Sequence, residues 1–154
     1  MKISVRKIAM GLVLVSAFVL AACGGASGGA AGGPLAVGTD GENLAFAPAA
    51  LTAKAGEKVT INFKNNSSAQ SHNFVVVKGG DDVAMAVDEA AAEAGDAAGY
   101  IPADTTNIVA NTAMLAPGAN GSIEFTPAEA GTYTFICTYP GHYGGGMKGV
   151  LTVN

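Results

Sequence analysis

The sequence predicts an all-β domain, a sandwich or a barrel of short strands into which one short helix is inserted. Two stretches, residues 58–64 and 122–126, alternate polar and apolar residues with period two, which is typical of strands with one face in a core. Turn signals rich in glycine, proline and asparagine separate these stretches from further β-rich ones. Regularly spaced short strands of this kind are typical of sandwiches and barrels.

Runs of β-branched and aromatic residues predict the remaining strands. These runs are residues 73–77, 108–115, 132–137 and 149–153. One stretch departs from the pattern, because residues 81–95 consist mainly of Val, Ala, Met and acidic residues and end at a glycine. This stretch predicts a short helix that Asp81 or Asp82 caps.

The first 22 residues predict an export signal that does not belong to the fold. Three basic residues come first, and residues 8–19 form an almost uninterrupted apolar run of signal-peptide length, too short for a comfortable membrane span. The small residues before Cys23 resemble the lipobox of bacterial lipoproteins, in which the cysteine receives the lipid and becomes the first mature residue. An ordinary signal peptide or an uncleaved anchor is the alternative.

Three segments follow from this reading: a lipoprotein signal peptide at residues 1–22, an acylated cysteine with a Gly/Ala-rich tether at 23–34, and the folded domain at 35–154. Residues 24–33 contain only Gly, Ala and Ser, a composition that forms flexible linkers. Removal of the signal changes the net charge from −4 to −7. The acidic domain excludes nucleic acid as a partner, and we expect attachment to the outer (periplasmic) face of the cell membrane only through lipid on Cys23.

A thiol, an imidazole and a thioether lie within one predicted loop, at Cys137, His142 and Met147. This combination suits copper, because zinc sites rarely recruit methionine, and a blue copper site needs one further histidine. The chain contains one, His72, at the start of a predicted strand. Each residue alone has an ordinary alternative as a buried cysteine, a hydrogen-bonded histidine or a core methionine. Together they have the ligand types and spacing of a metal site, and acylation of Cys23 leaves Cys137 without a disulfide partner.

Residues 137–142, Cys-Thr-Tyr-Pro-Gly-His, resemble the ligand loop of the cupredoxins, the type 1 blue copper proteins. Four residues separate the cysteine from the histidine and four separate the histidine from the methionine, a spacing most similar to that of the auracyanins, the azurin-like cupredoxins of filamentous photosynthetic bacteria. The pair His72 and Asn73 resembles the upstream ligand segment of the family. The resemblance extends over residues 34–154 and implies a Greek-key β-sandwich, the cupredoxin fold, with the predicted helix as its flap.

The resemblance also implies a ligand set. His72, Cys137 and His142 would form a trigonal plane around one copper ion, and Met147 would be the long axial ligand. The carbonyl of Ser71 would approach the copper from the other side.

Further roles come from the same resemblance. Asn73 would hydrogen-bond Thr138 and hold the two ligand segments together. Pro140, Gly141 and Tyr143 would form a small apolar docking surface around the second histidine, where electrons enter.

The function implied is electron transfer by cycling between Cu(II) and Cu(I), without enzymatic activity. By resemblance, the donor would be a quinol-oxidising complex and the acceptor a photosynthetic reaction centre or its cytochrome, with the protein itself a monomer. A copper-storage or copper-delivery protein is the alternative. An oxidase would need more histidines than the chain has, and a cysteine hydrolase would need a base beside Cys137 that no motif supplies.

Overall fold

The computed structural model describes residues 33–154. The predicted export signal, the lipobox Cys23 and nearly all of the predicted tether therefore lie outside the described residues. Within residues 33–154, no helix is long and apolar enough to cross a membrane. Cys137 is free and buried.

The described part of the chain forms nine strands, one α-helix and one turn of 3-10 helix. The strands are β1 (Leu35–Thr39), β2 (Phe46–Ala47), β3 (Ala50–Ala53), β4 (Val59–Lys64), β5 (Val75–Lys78), β6 (Ile108–Asn111), β7 (Asn120–Phe125), β8 (Gly131–Ile136) and β9 (Lys148–Val153). Helix α1 (Asp81–Ala94) and the 3-10 turn (Asp96–Ala98) both lie between β5 and β6. The single inserted helix is where the sequence predicts it.

The strands form two sheets, which resolves the choice between sandwich and barrel in favour of the sandwich. One sheet has the order β2-β1-β4-β7, and the other has the order β3-β9-β8-β5-β6. The pairs β1 with β4 and β3 with β9 are parallel, and the other pairs are antiparallel. The predicted β-sandwich with one inserted helix is confirmed.

A cluster of aromatic rings fastens the two sheets together. Along β4 the buried residues Val59, Ile61 and Phe63 alternate with more exposed ones, as the period-two pattern predicts. The rings of Phe46, Phe63, Phe74 and Phe135 pack together in this cluster, with neighbouring ring centroids 5.0 to 5.8 Å apart. Each such buried side chain stabilises the fold by about 1.5–3 kcal/mol.

Helix α1 packs on the outer face of the second sheet, against β5 and β8. Its buried side chains are Ala84, Val87 and Ala91, which recur at the three- and four-residue spacing of one helix face. Ala84 and Val87 join a second apolar cluster with Val75 and Val77 of β5. The insert therefore lies against the two strands that lead to the predicted metal ligands.

The helix begins differently from the prediction. Gly80 is the N-cap and no side chain hydrogen-bonds the first turn, so the prediction that Asp81 or Asp82 caps the helix is wrong. Both aspartates lie inside the first turn, where their negative charges face the positive end of the helix dipole. The helix ends at Gly95, which has a positive φ of 74°.

The sequence prediction missed three strands and overextended another. Strands β1, β2 and β3 are short and include glycine or alanine, so they lack the β-branched alternation that marks a strand. The predicted strand 108–115 ends at Asn111, and the chain beyond it turns toward the loop before β5. There Leu115 forms an isolated bridge with His72.

The backbone of β9 at Gly149 lies directly against the ring of Phe135. This close approach allows the packing to be tested by substitution. A Cβ atom at Gly149 would overlap that ring and lie 2.6 Å from the carbonyl oxygen of Ala49. We expect Gly149→Ala to lower the free energy of unfolding by about 1–3 kcal/mol, measured by urea denaturation. The neighbouring exposed Val150 provides the matched control, since Val150→Thr should change it by less than about 0.5 kcal/mol. Equal stability of the two variants would contradict this packing.

Candidate metal centre

His72 is held in a loop that side-chain hydrogen bonds order before β5 begins. The amide group of Asn65 donates to the carbonyl oxygens of Gln70 and Leu115 at 2.8 and 3.0 Å, which closes the loop at its base. The backbone of His72 then pairs with Leu115 through two hydrogen bonds of 2.9 and 3.1 Å. The His72 side chain is 1% exposed, so the loop delivers the imidazole into the interior. The sequence singled out His72 but missed Asn65, whose buried amide no motif marks.

The loop between β8 and β9 carries the other predicted metal ligands. Cys137 directly follows β8, and its N–H donates to the carbonyl of Met147, which directly precedes β9. Inside the loop, the N–H of Met147 donates to His142 at 3.0 Å. Gly141 and Gly146 have positive φ values of 81° and 103°, which glycine adopts at little cost. The loop is thus a closed turn whose two ends are hydrogen-bonded to each other.

Three of the predicted ligands converge on one point. The sulfur of Cys137 lies 3.4 Å from Nδ1 of His142 and 3.7 Å from Nδ1 of His72, and the two Nδ1 atoms are 3.1 Å apart. The donor atoms of His72, Cys137 and His142 all lie within 4.8 Å of one another. Ligands about 2.0–2.3 Å from a single ion in a trigonal plane lie roughly 3.5–3.8 Å apart, and the observed separations of 3.1 to 3.7 Å are close enough to this range for one metal ion to bind all three donors.

Met147 is the fourth predicted ligand, and its sulfur is not one of the three donor atoms whose separations are given above. Its side chain is fully buried and belongs to the same core cluster as Cys137. Ser71, whose carbonyl the resemblance places near the copper, is half-buried beside His72.

Two hydrogen bonds join the segment of His72 to the segment of Cys137. The side-chain oxygen of Asn73 accepts from the N–H of Thr138 at 2.9 Å, and its amide nitrogen donates to the Thr138 hydroxyl at 2.7 Å. Both residues are fully buried. Buried polar bonds of this kind are costly to break, so they fix the relative position of the two segments.

Burial also sets the protonation states of the three donors. Removal from water raises the pKa of the Cys137 thiol to about 11. The same burial, reinforced by the neighbouring His142, lowers the pKa of His72 to about 4, and burial lowers the pKa of His142 as well. At neutral pH both imidazoles are neutral and each has a free lone pair, while the thiol keeps its proton until a metal displaces it.

The predicted docking residues differ in exposure. Pro140 and Gly141 are exposed at the tip of the loop. Tyr143 is half-buried, and its hydroxyl donates to the carboxylate of Asp81 at 2.7 Å, so its polar end faces helix α1. Burial and this carboxylate raise the pKa of Tyr143 to about 12. The loop tip is therefore open to solvent on the side of Pro140 and closed on the side of Tyr143.

An aromatic contact at the site includes Tyr139, which was not among the predicted site residues. The ring of Tyr139, which is 37% exposed, lies 4.6 Å from the ring of His142. The ring of Tyr100 packs edge-on against Tyr139 at 5.4 Å. The aromatic residues were visible in the sequence, but Tyr100 lies far from the loop along the chain, and only the fold brings it there.

The family follows from comparison with known proteins. A profile described as copper-binding proteins of the plastocyanin/azurin family matches residues 34–154. The chain belongs to this family. Its sequence is 45% identical to auracyanin-A of Chloroflexus aurantiacus over 163 aligned positions, which cover 100% of both proteins. It is 50% identical to auracyanin-B of the same organism over 71% of this chain and 47% of that one.

Solved structures agree with the sequence comparison. Reduced auracyanin from Roseiflexus castenholzii superimposes with a TM-score of 0.77 at 52% identity, over 80% of this chain and 98% of that one. The predicted resemblance to the azurin-like cupredoxins is confirmed. The protein is accordingly a blue copper electron carrier with copper as its cofactor, and it is not an enzyme.

The copper-free protein should lose stability as the pH falls from about 6.5 to about 4. Because the pKa of His72 is lowered from 6.5 to about 4, the unfolded chain takes up a proton in this range that the folded chain does not. The free energy of unfolding therefore decreases with falling pH, and His142 acts in the same direction. Thermal melts of the copper-free protein measure the effect, and His72→Gln should flatten the curve. A melting temperature that stays constant over this range would argue against it.

Proposed function

We propose that His72, Cys137, His142 and Met147 would together hold one copper ion. The observation that carries this assignment is the convergence of two imidazole nitrogens and one thiol sulfur within 4.8 Å. The soft thiol and thioether favour copper over zinc or magnesium. When bound, copper supplies one-electron chemistry by alternating between Cu(II) and Cu(I).

Rigid placement is what the chain itself contributes to electron transfer. A donor set that keeps its geometry in both oxidation states needs little rearrangement when an electron arrives or leaves. Asn73 and Thr138 tie the two ligand segments together. Cys137 and Met147 pack in the same apolar core as the aromatic rings, which excludes water and limits side-chain motion. The Ser71 carbonyl is the proposed second axial neighbour.

The exposed loop tip is the proposed site of electron entry. His142 is 6% exposed, so only an edge of its ring reaches the surface. Pro140 and Gly141 beside it are exposed and uncharged. A small apolar contact of this kind favours fast dissociation, which transient redox partners require. Tyr143 contributes its ring rather than its hydroxyl, which Asp81 engages.

Charge is distributed unevenly around this tip. Residues 81–104 carry seven acidic side chains and no basic one, whereas the rest of the described chain has five of each sign. The whole excess of seven negative charges therefore lies in the helical insert and the loop after it. The field of such an insert orients an approaching partner, while the loop tip itself, residues 139–147, contains no Asp, Glu, Lys or Arg.

Redox proteins of a photosynthetic membrane are the proposed partners. The support is the similarity to auracyanins, one of which is described as a protein of a photosynthetic bacterium. The proposed donor is a quinol-oxidising complex, and the proposed acceptor is a reaction centre or its cytochrome. A monomer is the proposed form.

Export and a lipid anchor complete the proposal. Residues 1–22 are the proposed signal, Cys23 the acylated residue, residues 23–34 the tether and residues 35–154 the copper domain. Strand β1 begins at Leu35, directly after the proposed tether. The lipid would keep the domain at the outer face of the membrane, within reach of membrane-bound partners.

The copper-loaded protein should be intensely blue in its oxidised form, because charge transfer from a cysteine thiolate to copper absorbs visible light, and ascorbate should bleach the colour. Absorption spectra of copper-loaded wild-type and Cys137→Ser proteins are the measurement. We expect the serine variant to be colourless, since its hydroxyl supplies no thiolate. A copper-replete wild-type protein without the band, or with a band that ascorbate leaves unchanged, would refute the ligand assignment and favour a storage role.

Serine substitutions of the two cysteines test the lipid anchor and the metal site separately. Cys23→Ser should move the protein from the membrane to the soluble fraction and leave the blue colour intact. Cys137→Ser should abolish the colour and leave the protein membrane-bound. Fractionation and immunoblotting of cells that produce each variant measure the outcome. If the Cys23→Ser protein stays with the membrane, the attachment lies elsewhere.

A further inference from the structure

The loop after helix α1 returns to the metal centre at Tyr100. The N–H of Tyr100 donates to Gly95 at 3.0 Å, and the N–H of Gly99 donates to Asp96 at 2.8 Å, so the chain folds back tightly after the helix. Tyr100 has a φ of 55°, and among the described residues it is the one non-glycine residue with a positive φ. A left-handed backbone costs a residue with a side chain roughly 1–2 kcal/mol, so other contacts must hold Tyr100 in place.

The carbonyl of Tyr100 provides one of these contacts. It accepts a hydrogen bond of 2.7 Å from the hydroxyl of Thr138. A threonine hydroxyl has one proton to donate, so this bond fixes its orientation and leaves its oxygen to accept from Asn73. The left-handed turn is what directs the Tyr100 carbonyl inward. A chain of two hydrogen bonds thus runs from the His72 segment through Thr138 to the loop after the helix.

The ring of Tyr100 provides the second contact. It packs edge-on against Tyr139 at 5.4 Å, and Tyr139 in turn packs on His142 at 4.6 Å. The hydroxyl of Tyr100 makes no hydrogen bond within residues 33–154, so the ring acts through packing alone. The carbonyl of Tyr100 therefore contacts Thr138, and its ring contacts Tyr139. These are the two residues that follow Cys137 in the ligand loop.

The other end of the insert is tied to the same loop more loosely. Asp81 accepts from the hydroxyl of Tyr143 at 2.7 Å and pairs with Lys148 at 2.6 Å. Asp81 and Lys148 are exposed, and exposed ion pairs stabilise a fold by less than about 1 kcal/mol. The insert contacts the ligand loop at both of its ends, Asp81 and Tyr100. The contacts at Tyr100 are partly buried and hold the loop more firmly than those at Asp81.

We propose that Tyr100 is a positioning residue of the copper site, which orients Thr138 through its carbonyl and holds Tyr139 against His142 through its ring. The proposal rests on the ligand roles proposed above for Cys137 and His142. Tyr100 does not touch the metal. It limits the motion of the loop that carries three of the proposed ligands, so its loss should change the copper site more than it changes the fold.

Tyr100→Asn tests the role of the ring separately from the role of the backbone carbonyl. Asparagine tolerates the left-handed conformation, so the carbonyl stays in place while the ring is lost. We expect copper to leave this variant about tenfold faster in the presence of a chelator, as for other residues that support metal ligands. We also expect a shifted reduction potential. Tyr100→Phe should behave as wild type in both measurements, because only the unpartnered hydroxyl is removed.

Tyr133→Phe is the control for a purely structural effect. The Tyr133 hydroxyl donates to the carbonyl of Glu129 at 3.0 Å, before the end of β8 that is opposite to Cys137, so its loss should lower the melting temperature without changing the potential. Thr138→Val combined with Tyr100→Asn tests coupling, since the two changes should be non-additive if both act on one loop. Wild-type copper release and potential in Tyr100→Asn, or changes no larger than those of Tyr133→Phe, would overturn the proposal.

A copper-free measurement keeps the two proposals distinguishable. The N–H of His142 donates to the carbonyl of Tyr139 at 3.0 Å, so its hydrogen exchange reports on the first turn of the loop. We expect exchange about tenfold faster in copper-free Tyr100→Asn than in copper-free wild type. Unchanged exchange would refute the positioning role even if the ligand assignment holds. Faster exchange in a protein that never turns blue would retain the positioning role and refute the ligand assignment.

Discussion

The paired hydrogen bonds between Asn73 and Thr138 are the constraint on which the rest of the site depends. They join two segments that lie 65 positions apart in the chain, one just before β5 and the other just after the neighbouring strand β8. His72 directly precedes Asn73, and Cys137 directly precedes Thr138. The hydrogen bonds between Asn73 and Thr138 therefore also fix the position of His72 relative to Cys137. Both bonds are buried, which makes any shift of one segment past the other costly.

The metal centre is continuous with the hydrophobic core. Phe74 follows Asn73, and Phe135 lies two residues before Cys137, so the strands that carry the largest core rings also carry ligands. The backbone of Phe74 also forms hydrogen bonds with Thr112, which link the chain just before β5 to the segment that leads to Leu115. Stability of the sandwich and geometry of the donors are therefore two results of the same packing.

The ligand loop was predictable from the sequence because its chemistry lies in consecutive residues, 137–147. The strands with β-branched alternation, such as β4 and β7, were predictable because one face of each is buried. The contacts of Tyr100 were not, since neither the left-handed turn nor the packing on Tyr139 has a local signal. The short strand β2 escaped as well, because two residues are too few to show a period.

The distribution of the proposed ligands along the chain has a consequence for the unfolded state. Three of the four lie within the single segment 137–147, and His72 lies 65 positions before Cys137. Bringing His72 to the others in a disordered chain costs about 2 kcal/mol more entropy than closing the short segment. The unfolded chain thus retains a three-donor segment with its own affinity for copper. Binding there offsets part of the stabilisation that copper gives the native fold, so metal affinity and metal-induced stability are separate quantities in this protein.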